Sequence, residues 1–209
     1  MIVIPARLKS TRFENKILAD IKGVPMFIRT AMNASKVDEA IIAVDDESVL
    51  KIAEKHGFKA VLTNPNHQSG TDRINEAVSK LNLNDDEVII NLQGDEPFFE
   101  IENLSKFKEF ASLAIKNGAF MASAYKLIES KEADNPNLVK DVCDEFSNAI
   151  YFSRSVIPYP RESFEGYKGH IGLYAYSVKS LREFCEFSES VLEKTEKLEQ
   201  LRALSNGKK

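Results

Sequence analysis

Cysteine is scarce in this chain: Cys143 and Cys185 are the two present in 209 residues, far apart and without Cys-x-x-Cys spacing. That excludes a disulfide framework or a zinc knuckle and fits a reduced, cytoplasmic protein. Histidine is also sparse, and His67 has no second histidine at ligand spacing, which leaves a histidine-built metal site without support. No apolar run approaches the roughly 18 residues a membrane span needs. Met1 leads at once into Ile2-Val3-Ile4-Pro5, which reads as the absence of a signal peptide. An excess of positive charge is missing too. The formal net charge is -4, which argues against nucleic acid or an anionic membrane as the main partner. There is no internal repeat and no low-complexity linker.

What is present suffices for one sizeable core, with 43% of residues hydrophobic and 29% charged. Short, nearly continuous apolar runs at 2–4, 40–44, 58–62 and 88–92 read as strands buried on both faces. Between them the pattern predicts helices over 25–35, 47–56 and 72–81, the second stopped by Gly57 and the third capped by Thr71. This alternation is the mark of βαβ units and predicts an α/β, Rossmann-like, mostly parallel sheet flanked by helices. A helix over 101–116 and a strand over 119–125 follow. From 137 the rhythm changes to strand after strand (137–142, 149–152, 168–176), predicting a small antiparallel annex. Helices are expected over 180–187 and 193–204. The organisation expected is a single domain over 1–209, with a core over about 1–125, an annex over about 126–180 and terminal helices over 181–209.

Three stretches carry more chemistry than structure requires. The loop after the first strand, Pro5-Ala6-Arg7-Leu8-Lys9-Ser10-Thr11-Arg12-Phe13-Glu14-Asn15-Lys16, holds four cations and two hydroxyls that suit a polyanion, although charge runs are commonly just solvated. Ser69-Gly70-Thr71 would present backbone N–H groups at a helix N-terminus, where anions or a closely approached base can bind. The strand 88–92 runs into Gly94, Asp95, Glu96 and Pro97, and ligands of open parallel sheets bind beyond such strand ends. On the late strand, alternation places His170, Gly172 and Tyr174 on one face, leaving room for a polar ligand.

Taken in order, Ile4-Pro5-Ala6-Arg7 with Ser10-Thr11-Arg12 and Lys16, His67-Gln68-Ser69-Gly70-Thr71-Asp72-Arg73, and Asn91-Leu92-Gln93-Gly94-Asp95-Glu96-Pro97 form one set. It continues with Asn135-Pro136-Asn137-Leu138-Val139-Lys140, Tyr151-Phe152-Ser153-Arg154-Ser155, His170-Ile171-Gly172-Leu173-Tyr174 and Leu198-Glu199-Gln200-Leu201-Arg202. With these motifs the chain resembles the CMP-Kdo synthetase family, the 3-deoxy-manno-octulosonate cytidylyltransferases of lipopolysaccharide synthesis. The resemblance implies CTP and 3-deoxy-D-manno-octulosonate (Kdo) as substrates, CMP-Kdo and pyrophosphate as products, and a nucleotide-diphospho-sugar transferase-like fold. It assigns catalytic roles to Arg7, Lys16 and Asp95. The nucleotide falls to Ala6, Arg7, Ser10, Thr11, Arg12, Lys16, Ser69, Gly70 and Arg73, and the sugar acid to Gln93, Arg154, His170, Tyr174, Glu199 and Gln200.

The same resemblance implies Mg²⁺ as cofactor, with Asp95 as a ligand, and a homodimer that engages neither nucleic acid nor membrane. It further implies a tail beyond residue 209 bearing a second metal-binding carboxylate, so that a chain without it would be weakly active or inactive. A different keto sugar acid, such as 8-amino-Kdo or a sialic acid, and a non-catalytic nucleotide-binding role remain the alternatives. A general base is unassigned.

Overall fold

The run Ile2–Ala6 (β1) has no polar side chain, and all five residues are buried. That burial is possible only in the middle of a sheet covered on both faces. The computed structural model, which describes residues 1–8 and 15–209, places it there. Downstream come a 3₁₀ turn at Lys16–Leu18, the ribbon of Asp20–Ile21 (β2) and Val24–Pro25 (β3), and helix Met26–Ala34 (α1). Lys22 and Gly23 both have positive φ, the type I′ geometry that joins two strands by two residues. The alternation then runs Ala40–Val44 (β4), Glu47–Lys55 (α2), Ala60–Leu62 (β5), Gly70–Lys80 (α3), Val88–Leu92 (β6) and Ile101–Lys116 (α4). Met121–Ile128 (β7), Ser130–Ala133 (α5), Lys140–Cys143 (β8), Ala149–Ser153 (β9) and Tyr167–Ser177 (β10) form the annex. Val178–Glu186 (α6), Val191–Glu196 (α7) and Leu201–Ser205 (α8) follow.

The strands lie in the order β5-β4-β1-β6-β10-β8-β9, with β7 also on β10. β5, β4, β1 and β6 are mutually parallel, whereas β10 runs antiparallel to β6, β7 and β8. The expected α/β class is therefore met, and the antiparallel annex continues the same sheet. After β1 the chain builds outward through β4 and β5, then returns to place β6 on the other side of β1. That reversal opens a crevice beyond the carboxyl ends of β1 and β6.

Helices cover both faces. Ile2, Ile4 and Ala6 pack with α1, α2 and α4 through Phe27, Ala53, Leu104 and Ala111. Val3 and Ile89 face α3 and α6 through Ile74, Val78, Leu181 and Phe184. Each Val, Leu, Ile or Phe among them contributes about 1.5–3 kcal/mol by leaving water.

Three sequence expectations are corrected. Helix α3 starts at Gly70, and its cap is Ser69, whose hydroxyl accepts from the Asp72 N–H at 3.0 Å. Thr71 is instead buried inside the first turn, where its hydroxyl has another partner. The helix expected over 193–204 is two short ones, because Lys197 takes a left-handed conformation at φ 54° and ends α7. The strand expected over 119–125 is displaced to Met121–Ile128, and β10 has a register shift between Ile171 and Tyr174.

Candidate active site

At the switch point the ends of β1 and β6 meet closely. A Cβ on Gly94 would lie 2.9 Å from the Pro5 carbonyl oxygen, so only glycine lets the two strand ends touch. The turn after β6 is also tied to α1: Thr30 Oγ1 donates to the Gly94 carbonyl at 3.0 Å and Asn33 Nδ2 to the Pro97 carbonyl at 2.7 Å. These contacts fix where Asp95 and Glu96 stand. Asp95 is exposed and meets Lys16 Nζ at 2.6 Å. Glu96 is pushed up in pKa by burial and by the neighbouring Asp95 charge, with Lys16 opposing.

Beside this turn lies a cleft of about 180 Å³, floored by Pro5 and lined by Arg7, Ser69, Gly70, Arg73 and Gln93. Arg7 follows β1 directly and is exposed. Gly70 opens α3 against the cleft floor, since a Cβ there would stand 3.2 Å from Pro5 Cγ. The first turn of α3 thereby brings the positive end of an 11-residue helix to the cleft. Gln93 donates from Nε2 to Asn91 Oδ1 at 3.0 Å. Of the residues expected at the nucleotide, Ala6 is the buried last residue of β1, and Ser10, Thr11 and Arg12 lie outside the described residues.

Arg73 lines the cleft, but its guanidinium is engaged from behind. It is 2% exposed, donates from Nη1 to Thr63 Oγ1 at 2.6 Å and faces Asp45 Oδ2 at 3.6 Å. Burial lowers its pKa, with the Asp45 carboxylate opposing that shift and the Arg7 charge adding to it.

The residues expected on the sugar side converge as well. His170 Nε2 and Tyr174 Oη are 2.8 Å apart, and the Tyr174 hydroxyl donates to Gln200 Oε1 at 3.3 Å. Glu199 Oε2 accepts from Thr71 Oγ1 at 2.9 Å, so the next residue of the same helix terminus that borders the cleft holds this carboxylate. Burial depresses the His170 pKa to about 4, and burial raises those of Tyr174 and Glu199. At neutral pH His170 and Tyr174 are uncharged hydrogen-bonding groups. Among the described residues, the shielded atoms Glu199 Oε1 and Gln200 Nε2 have no hydrogen-bond partner, although Arg202 Nη2 stands 4.0 Å from Glu199 Oε1. One is an acceptor and the other a donor.

Arg154 stands just past β9 in a different setting. It donates from Nε to the Glu196 carbonyl at 2.6 Å and from Nη1 to the Pro136 carbonyl at 2.9 Å. Its backbone N–H is in turn held by Glu196 Oε2 at 2.9 Å. Arg154 thus joins the annex to the end of α7 and is not part of the His170–Tyr174–Gln200 chain.

Sequence reasoning missed Asp45, Thr63 and Asn91, and it read Thr71 as a cap where its hydroxyl in fact holds Glu199. Asp45 follows the end of β4, next to β1, and that position is the signal that could have found it. No local pattern marks Thr63 or Asn91, whose roles arise from tertiary contacts.

The carboxylates at this site, Asp95 and Glu96, suit a hard cation that completes its shell with water and phosphate oxygens. A closed protein cage does not fit, since no group of three or more His, Cys, Asp or Glu converges among the described residues. No helix among them is long and apolar enough to cross a membrane.

Comparison with known proteins agrees with this geometry. The cytidylyltransferase family model matches residues 1–209. The 3-deoxy-manno-octulosonate cytidylyltransferase of Wolinella succinogenes is 52% identical, over all of this chain and 88% of its own length. That of Nitratiruptor sp. is 50% identical, over 99% of this chain and 87% of its own. A solved structure described as CMP:2-keto-3-deoxy-manno-octonic acid synthetase complexed with CTP superposes with a TM-score of 0.92 at 37% identity, covering 99% of this chain and 85% of that one. The chain belongs to the cytidylyltransferase family, among the 3-deoxy-manno-octulosonate cytidylyltransferases.

Proposed function

We propose that this protein is a nucleotidyltransferase that couples CTP to Kdo, giving CMP-Kdo and pyrophosphate for lipopolysaccharide synthesis. The observation that carries the reading is a cleft at the switch point lined by Arg7 and the start of α3, beside the Lys16–Asp95 pair and one strand away from a cluster of polar side chains with free hydrogen-bonding capacity. A triphosphate and a polyhydroxylated acid are the two ligands such halves suit. The same two substrates belong to the names of the related enzymes and to the CTP-bound neighbour.

The reaction is an in-line displacement. The anomeric hydroxyl of Kdo gives up its proton to solvent as its oxygen bonds to the α-phosphorus of CTP, the bond from that phosphorus to the bridging oxygen breaks, and pyrophosphate leaves. The protein's task is to align the partners and to balance charge. Arg7 and Lys16 offer cations to the phosphates, and the α3 terminus offers backbone N–H groups. On the sugar side, Tyr174, Glu199 and Gln200 orient hydroxyls, with His170 holding the Tyr174 ring in place. Gln93 lies between the halves, on the cleft wall. Mg²⁺ at Asp95 would neutralise phosphate charge when bound, and Lys16 would exchange Asp95 for a phosphate oxygen as its partner.

A cytoplasmic homodimer accompanies this reading. Leu127 and Ile150, on strands β7 and β9 of the annex, are 71% and 58% exposed, and a second copy would cover them. The direct test is pyrophosphate release from CTP and Mg²⁺ with Kdo, 8-amino-Kdo or a sialic acid as acceptor. Release with Kdo above the others is expected. Release with none of them would overturn the reading, and a preference for another acid would replace the sugar while keeping the chemistry.

A further inference from the structure

Asp45 is the first residue after β4, and β4 runs beside β1 in a register that pairs Val44 with Ala6. The two strands therefore deliver Asp45 and Arg7 to adjacent positions at the same edge of the sheet. Asp45 is nearly buried, with its side chain 9% exposed, and its two oxygens face different groups. Oδ1 accepts the backbone N–H of Leu8 at 2.8 Å. Oδ2 faces Arg73 Nη2 at 3.6 Å, and Arg73 is itself held by Thr63, whose hydroxyl donates back to the Val44 carbonyl at 2.7 Å. One carboxylate thus ties the chain immediately after Arg7 to a buried cation beneath the cleft.

We infer that Asp45 is a positioning residue for Arg7: by accepting the Leu8 N–H it fixes the backbone from which the Arg7 guanidinium reaches the cleft. Two features distinguish this from a carboxylate kept only to balance Arg73. The Leu8 contact is the shorter and is a true hydrogen bond, whereas the Arg73 contact at 3.6 Å is chiefly electrostatic. It also falls two residues past the end of the β1 ladder, where Ala6 is the last residue paired with β4. A hydrogen bond to an ionised acceptor at such a point is worth about a tenfold change in an equilibrium that depends on it. Because Arg7 and Arg73 repel one another, the Asp45 charge also eases the approach of Arg7 to the cleft.

The inference rests on the CTP reading and is tested on the full chain by calorimetric titration with CTP, alongside steady-state kinetics with Kdo. Asp45→Ala removes both contacts and is expected to weaken CTP binding about tenfold or more, while the KM for Kdo stays within about twofold. Asp45→Asn keeps an oxygen that can accept from Leu8 and is expected to restore CTP affinity to within about threefold of the parent. Equal weakening in both variants would make charge balance the whole role and overturn the inference, as would unchanged CTP affinity in Asp45→Ala or an equal rise in both KM values. If Asp45→Ala lacks a cooperative melting transition, Leu8→Pro replaces it, since it deletes the donor and leaves the carboxylate. Weaker CTP binding there supports the inference, and parental affinity overturns it. A parent chain that does not bind CTP at all would instead overturn the functional reading, and this inference with it.

Discussion

The two halves of the site are built from opposite materials. On the nucleotide side the working groups are exposed ions: Arg7 at the end of β1, and Lys16 against Asp95 after β6. On the sugar side they are buried or half-buried hydrogen-bonding groups, with His170 and Tyr174 held neutral by loss of solvent and Gln200 only 3% exposed. The difference follows from the ligands. A triphosphate brings several charges that need cations free to move onto them, and exposed ions pair weakly enough to be exchanged. A sugar's hydroxyls are told apart by fixed donors and acceptors, and discrimination grows when an unmatched group would be left buried without a partner. The start of α3 joins the halves, with Gly70 on the cleft and Thr71 on Glu199.

The largest way to break this comparison is on the charged side. Arg7→Ala or Asp95→Asn is expected to lower kcat/KM for CTP about 10²- to 10³-fold, measured by pyrophosphate release at saturating Kdo. An Asp95→Asn enzyme with parental turnover would remove the metal role from this carboxylate. The next effect is on the neutral side. Tyr174→Phe deletes the hydroxyl between His170 and Gln200 and should raise the KM for Kdo about tenfold with little change in that for CTP. Gly94→Ala tests the frame that holds both halves. The added methyl would meet the Pro5 carbonyl and should reduce stability by about 1–3 kcal/mol in urea unfolding.

A further effect concerns pH. His170 has its pKa depressed from 6.5 to about 4, so the unfolded chain takes up this proton first as pH falls. Its contribution to stability is therefore lost progressively between about pH 6.5 and 4 and is level below that. A unit of pKa corresponds to about 1.4 kcal/mol, which bounds the loss at about 3 kcal/mol. Melting temperature followed across this range should fall less in His170→Gln than in the parent. Equal slopes would mean that His170 titrates alike in both states.

The strands and the residues after them were largely legible in the sequence. Ala40–Val44 and Val88–Leu92 are short apolar runs closed by acidic turns, and their carboxyl ends lie at the switch point as expected. The cap of α3 was misplaced because Ser69 and Thr71 are both capable caps, and the choice is made by Glu199, 128 positions away from Thr71. The break at Lys197 was invisible, since a lysine at positive φ has no local signature and is held by tertiary contacts. Arg73 and Arg154 look alike in sequence as cations beside a ligand, yet one faces Asp45 from a buried position and the other is held by backbone carbonyls. Whether a guanidinium is free for a ligand depends on partners far along the chain.

The division of labour is tested most directly by measuring the KM for CTP and for Kdo in two variants side by side, Arg7→Ala and Tyr174→Phe. The account predicts a crossed result: Arg7→Ala raises the CTP constant and leaves that for Kdo nearly unchanged, and Tyr174→Phe does the reverse. Both variants raising both constants in the same proportion would contradict it.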